Sequence, residues 1–205
     1  MTEVEVEVEP SEAGFDAKRL HRLGDHLDKY VDEGHLPGVN VLVSREGKIV
    51  YRHMYGQRDM ERALPVEADT IYRFYSMTKP ITSVAIMQLY ERGIFQLKDP
   101  ISNWIPSFAE SQVFVGGDAE NPQTREASRA ISIHDLLTHT SGLTYFFHMA
   151  HVVDEMYRRA GFDWTKSPGD LESQCDLLAS LPLLFDPGTE WNYSYSTDVL
   201  GRLIE

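Results

Sequence analysis

A chain of 205 residues with 42% hydrophobic content carries enough apolar material for one domain or a large part of one. Its formal charge of −13 argues against nucleic acid and anionic membrane surfaces as partners, because phosphates and acidic headgroups would repel it. The single cysteine, Cys175, excludes an internal disulfide and is read as a structural thiol, while the lack of a bilayer-length apolar run and of a signal-type N-terminus makes a cytoplasmic location the simplest expectation.

The chain begins with glutamates alternating with Val4, Val6 and Val8, and residues 1–13 are read as an acidic, disordered tail. Asp16 is placed to cap a helix whose apolar face is Leu20, Leu23, Leu27, Tyr30 and Val31 and which Gly34 ends. Val39 to Ser44 and Lys48 to His53 flank Arg45-Glu46-Gly47, the pattern of a β-hairpin.

Next comes Ser76-Met77-Thr78-Lys79, immediately before the apolar run Ile81 to Tyr90. A helix there places Ser76 and Lys79 on one face, and its apolar composition predicts burial in the domain. A serine hydroxyl needs a nearby base to become a nucleophile, and a lysine serves once it is pushed toward the neutral amine. The bland reading, Ser76 as a helix cap with Lys79 solvated, leaves a cation in the first turn of a core helix without a task.

Leu97-Lys98-Asp99-Pro100 opens a mainly helical region, within which residues 111–129 are polar, contain Gly116-Gly117 and read as a surface loop. Ser132 is positioned to cap a helix over Ile133 to Leu137, and His139-Thr140-Ser141-Gly142 ends it. His134 and His139 lack the spacing of a helical zinc pair, as do His148 and His151 an acidic third ligand, so local structure is the reading for these histidines. No G-x-S-x-G elbow supports a Ser-His hydrolase of the α/β type. Farther on, Pro187-Gly188 marks a turn and Ser196 or Thr197 a helix start, which leaves Tyr193 on a short loop between ordered pieces. On spacing alone Trp191, Tyr193 and Tyr195 read as packing aromatics.

Together, Ser76-Met77-Thr78-Lys79, the stretch His134 to Leu143, and Pro187-Gly188-Thr189 followed by Tyr193-Ser194 resemble the serine β-lactamase and penicillin-binding-protein-like superfamily. Phe15-Asp16, Leu36-Pro37-Gly38 and the hairpin are similar to the opening of that fold, so the resemblance runs from about Gly14 to the last residue. Tyr193-Ser194-Tyr195 and Asp198-Val199-Leu200-Gly201 look most like the family VIII carboxylesterases, relatives of class C β-lactamases. Class C enzymes usually have asparagine where Tyr195 stands, and that departure turns the expectation toward esters.

The resemblance implies an α+β fold, an antiparallel sheet flanked by helices plus a mainly helical region. On it, 14–205 form the N-terminal part of a single domain, with helix and hairpin of the sheet side in 14–70 and the catalytic helix and helical region in 71–205. It implies Ser76 as nucleophile, with Lys79 and Tyr193 sharing proton transfer, and no cofactor or metal. A cation beside a phenol favours the phenolate, so Tyr193 would accept the serine proton and return it to the leaving alcohol. Tyr75, Tyr145, Phe146 and Tyr195 are the substrate-binding candidates, with Phe147 and Trp164 as further pocket residues.

The superfamily's third motif, a Lys-Thr-Gly-like, His-x-Gly-like or Trp-Gly-Gly-like triplet that supplies an oxyanion donor, is not found before Glu205. The expectation is therefore an N-terminal fragment lacking the late sheet strands, nearly inactive alone, with a C-terminal segment or a second chain as the partner that completes it. The expected function is cleavage of a small-molecule carboxylic ester through an acyl-serine. A β-lactamase or D-alanyl-D-alanine carboxypeptidase of the same fold is the first alternative, and a non-catalytic acyl- or peptidoglycan-binding module the second.

Overall fold

The computed structural model describes residues 4–164 and 169–205, so residues 1–3 of the acidic leader lie outside the described residues. Two compact units, 1–73 and 74–205, divide the chain. The architecture is α+β, with small antiparallel sheets and helices.

In the first unit, α1 (Ala17–Asp32) starts where the Asp16 carboxylate accepts the backbone N–H groups of Lys18 and Arg19. Gly34, at φ +77°, takes the left-handed conformation that lets the chain turn away. β1 (Gly38–Arg45) and β2 (Lys48–Asp59) pair antiparallel, with Arg45 opposite Lys48. The turn is therefore the two residues Glu46 and Gly47, both at positive φ, as the right-handed strand twist requires of a tight hairpin. β2 runs farther than the sequence pattern indicates and pairs with the short β3 (Leu64–Pro65), giving the order β1-β2-β3. Leu20, Val50 and Tyr51 form this unit's core. The acidic leader, expected as a free tail, meets β2 at Glu7, whose N–H donates to the Ile49 carbonyl and whose carboxylate accepts the Ile49 N–H.

The second unit opens with a 3₁₀ turn at Tyr75–Met77 that runs into α2 (Thr78–Glu91). The predicted burial of α2 fails. Ile86 alone is buried, whereas Ile81 and Val84 are each 61% exposed. The apolar residues of α2 surround the helix rather than forming one stripe, so the side packed in this unit covers only part of them. Residues 111–129, expected as a loop, form a hairpin of β4 (Gln112–Gly117) and β5 (Pro122–Glu126). Its turn is built by Asp118, whose carboxylate accepts the N–H groups of Glu120 and Asn121, and Val113 anchors it in the core.

The remaining helices are α3 (Ile133–Leu137), α4 (Val152–Arg159), α5 (Leu171–Ser180) and α6 (Ser196–Ile204). Ser132 and Asp135 make a reciprocal capping box at α3, as the sequence predicts of Ser132. Ile86, Phe108, Ile131, Ile133, Leu136, Tyr157, Leu178 and Leu200 meet in one core. Burial pushes the Cys175 thiol up to about 12, which suits an inert core residue.

Candidate active site

Ser76 does not cap α2. The capping position is Met77, without a side-chain hydrogen bond, and the Ser76 hydroxyl turns to two other groups. Lys79 Nζ donates to Ser76 Oγ at 3.4 Å, one helical turn on. Tyr193 Oη donates to Ser76 Oγ at 2.6 Å, and the direction reverses when the phenol is ionised. Tyr75, next to the serine, is held at φ +45°, a left-handed conformation that a bulky residue adopts only when its surroundings impose it.

The loop that carries Tyr193 is fixed by the segment from His134 to Leu143. Leu184, Gly188 and Asn192 donate their backbone N–H groups to the carbonyls of Gly142, Thr140 and His139, at 2.7, 2.7 and 2.9 Å. The Asn192 side-chain amide adds a bond to the Leu143 carbonyl at 3.0 Å. The segment itself is tied down at Asp135, buried and gripped by both terminal nitrogens of Arg129 at 2.7 and 2.8 Å. Gly188, at φ +82°, passes close against that arginine, where a Cβ would collide with the guanidinium.

Three tyrosines surround Lys79 or its neighbours, and their electrostatics differ. Burial raises the Tyr145 and Tyr195 phenols, with the charge of Asp198 adding to it, so both stay protonated. Partial burial also pushes Tyr193 upward, but the hydrogen bonds of Lys79 and Ser76 and the Lys79 charge outweigh it, and the net shift is downward. Lys79 Nζ stands 4.6 Å from the centre of the Tyr193 ring and 5.6 Å from that of Tyr145, where ring faces attract a cation.

These groups line an open pocket of about 690 Å³. All of the sequence-derived site residues reach it: Ser76, Lys79 and Tyr193, with Tyr75, Tyr145, Phe146 and Tyr195. Phe147 and Trp164 lie on the same wall, their rings stacked at 4.7 Å. Sequence reasoning passed over Asp198, which served there only for likeness. It sits in the first turn of α6 and borders the pocket; the surrounding protein raises its pKa and the Lys79 charge works against that. His139, set aside as local structure, packs its ring 4.8 Å from that of Tyr193.

The family model described as Beta-lactamase matches residues 23–205, and the chain belongs to that family. Esterase EstB of Burkholderia gladioli is 36% identical over 202 residues, a match that covers 97% of this chain and 48% of the esterase. Monacolin J acid methylbutanoyltransferase of Aspergillus terreus is 32% identical over 185 residues, covering 86% of this chain and 43% of the transferase. Among solved structures, EstCE1, described as a hydrolase with promiscuous acyltransferase activity, superposes with a TM-score of 0.74 at 32% identity, covering 91% of this chain and 45% of that one. The chain thus spans about half the length of the curated relatives it matches.

Proposed function

We propose that the protein cleaves carboxylic esters through an acyl-Ser76 intermediate. The observation that carries this reading is the Ser76 hydroxyl held at 2.6 Å from the Tyr193 phenol and 3.4 Å from the Lys79 ammonium. Tyr193 as phenolate takes the Ser76 proton while Oγ adds to the ester carbonyl. The tetrahedral intermediate collapses, and the alcohol leaves with the proton from Tyr193. Water then enters along the same path, giving its proton to Tyr193 and its oxygen to the acyl carbon, and Ser76 recovers a proton from the phenol. Lys79 stabilises the phenolate throughout by its charge.

A second reading, acyl transfer to an alcohol in place of water, is favoured by the transferase named among the relatives and by the aromatic wall of Tyr145, Phe147 and Trp164, which suits an apolar acceptor. Tyr195, where class C β-lactamases usually have asparagine, argues against β-lactams and for esters.

The test is covalent labelling with a fluorophosphonate, followed by peptide mapping. The adduct is expected on Ser76 and is expected to vanish in Ser76→Ala. An adduct that persists on another serine overturns the assignment. Partition of a p-nitrophenyl butyrate-derived acyl group between water and added butanol separates hydrolysis from transfer, and nitrocefin turnover would instead favour the β-lactamase reading.

A further inference from the structure

The Ser76 hydroxyl's side-chain partners are Lys79 and Tyr193, and a residue of the segment from His134 to Leu143 holds the second of these in place. His139 bonds to both neighbours of Tyr193. Its carbonyl accepts the Asn192 N–H at 2.9 Å, and its ring Nδ1 accepts the Ser194 N–H at 3.3 Å. The imidazole lies face-tilted on the Tyr193 ring at 4.8 Å and meets Trp191 at 6.4 Å on another side. Behind it runs a buried chain of hydroxyls, from Ser194 to Ser196 at 2.7 Å and from Ser196 to Ser141 at 2.8 Å, which returns to the same segment. His139 itself is held at φ +56°, an uncommon conformation for a residue with a Cβ, and one in which Asn and Gly are at ease.

From this geometry we infer that His139 is a positioning residue for Tyr193: its carbonyl and imidazole hold the residues on either side of the tyrosine, and the imidazole packs on its ring, so that the phenol stays at the Ser76 hydroxyl. The inference rests on the acyl-serine reading for its consequence in catalysis, but the clamp is a structural statement in its own right. Because Nδ1 accepts a backbone N–H, the clamp requires the neutral ring, with its proton on Nε2. Burial, and then the nearby Lys79 charge, hold the imidazole in that form. A phenol moved by about 1 Å from its partner is enough to cost on the order of 10²-fold in rate.

Two substitutions separate the ring from the backbone. His139→Gly keeps the left-handed conformation and removes the acceptor. His139→Asn keeps the conformation and returns an oxygen at the position of Nδ1. In the full chain, His139→Gly is expected to slow acylation of Ser76 by p-nitrophenyl butyrate by about 10²-fold with half-saturation unchanged, and His139→Asn to restore most of it. The second readout needs no turnover. In protein labelled at tyrosine Cζ with ¹³C, with the Tyr193 signal assigned by Tyr193→Phe, the phenol is expected to titrate higher in His139→Gly than in the parent, and like the parent in His139→Asn. Equal behaviour of the two variants in the tyrosine titration overturns the inference. An unreactive Ser76 in the parent would count against the acyl-serine reading, and the titration would still decide the clamp.

Discussion

The phenol oxygen of Tyr193 stands 2.6 Å from the hydroxyl of Ser76, across 117 residues of sequence. Tyr195, two residues on, faces the same pocket, but burial and then Asp198 raise its phenol, whereas that of Tyr193 is lowered. Tyr193→Phe should therefore reduce ester turnover by about 10²–10⁴-fold, the usual contribution of a positioned general base. Tyr195→Phe should cost far less. Steady-state kinetics on the two variants check this, and equal losses would mean that the proton passes elsewhere.

The pH dependence of acylation follows from the same charges. On the proposed mechanism the phenolate of Tyr193 is the reacting form, so the rate should rise with pH through the pKa of Tyr193. That value reflects partial burial upward, the Lys79 and Ser76 hydrogen bonds and Lys79 charge downward, and a smaller upward push from Asp198. Asp198→Asn removes a negative charge that opposes ionisation and should move the rising limb to lower pH. Lys79→Met removes the stabilising cation and should move it to higher pH, besides lowering the rate. Rate profiles of single-turnover acylation, taken from neutral pH upward, should show the two opposite displacements.

Stability at acid pH should fall on account of His139. Its folded pKa is below the ordinary 6.5, first because of burial and then because of Lys79, so protonation favours the unfolded chain. The neutral ring's contribution is complete above 6.5 and is lost as pH falls toward the depressed folded value. Urea midpoints measured across that window should decline more steeply for the parent than for His139→Asn, which has nothing to protonate at that position.

On α2, Ile86 is fully buried and Ile81 is 61% exposed. Ile86→Ala should cost about 2–5 kcal/mol, the range for emptying a core position, while Ile81→Ala should be close to neutral. Chemical denaturation of both variants tests it, and a large loss at Ile81 would show that its face is covered in solution.

How much of this was readable beforehand differs from element to element. Asp16 and Ser132 announced their helices because a cap is a local bond between a side chain and an amide two or three residues on. The hairpin at Glu46-Gly47 was legible for the same reason. The β4–β5 hairpin was not, because β4 has three apolar residues in a row, Val113, Phe114 and Val115, and β5 is polar, so neither strand shows an alternating pattern. Ser76 and Lys79 declared themselves by helical spacing. Tyr193 came only through family likeness, since nothing local tells a catalytic phenol from the packing tyrosine two places away. The roles of His139 and Asp198 were invisible, as each depends on a partner brought close by folding.

The bonds by which Leu184, Gly188 and Asn192 lean on Gly142, Thr140 and His139 carry one more consequence. They join two stretches some fifty residues apart, whereas Ser76 and Lys79 are brought together locally, where the 3₁₀ turn runs into α2. Chemical competence and helical content therefore answer to different parts of the chain. Opening these few amides, in a local unfolding that leaves the helices formed, would swing the phenol away from Ser76. Their hydrogen-exchange rates, rather than the circular dichroism signal, would report whether a given preparation is poised to react.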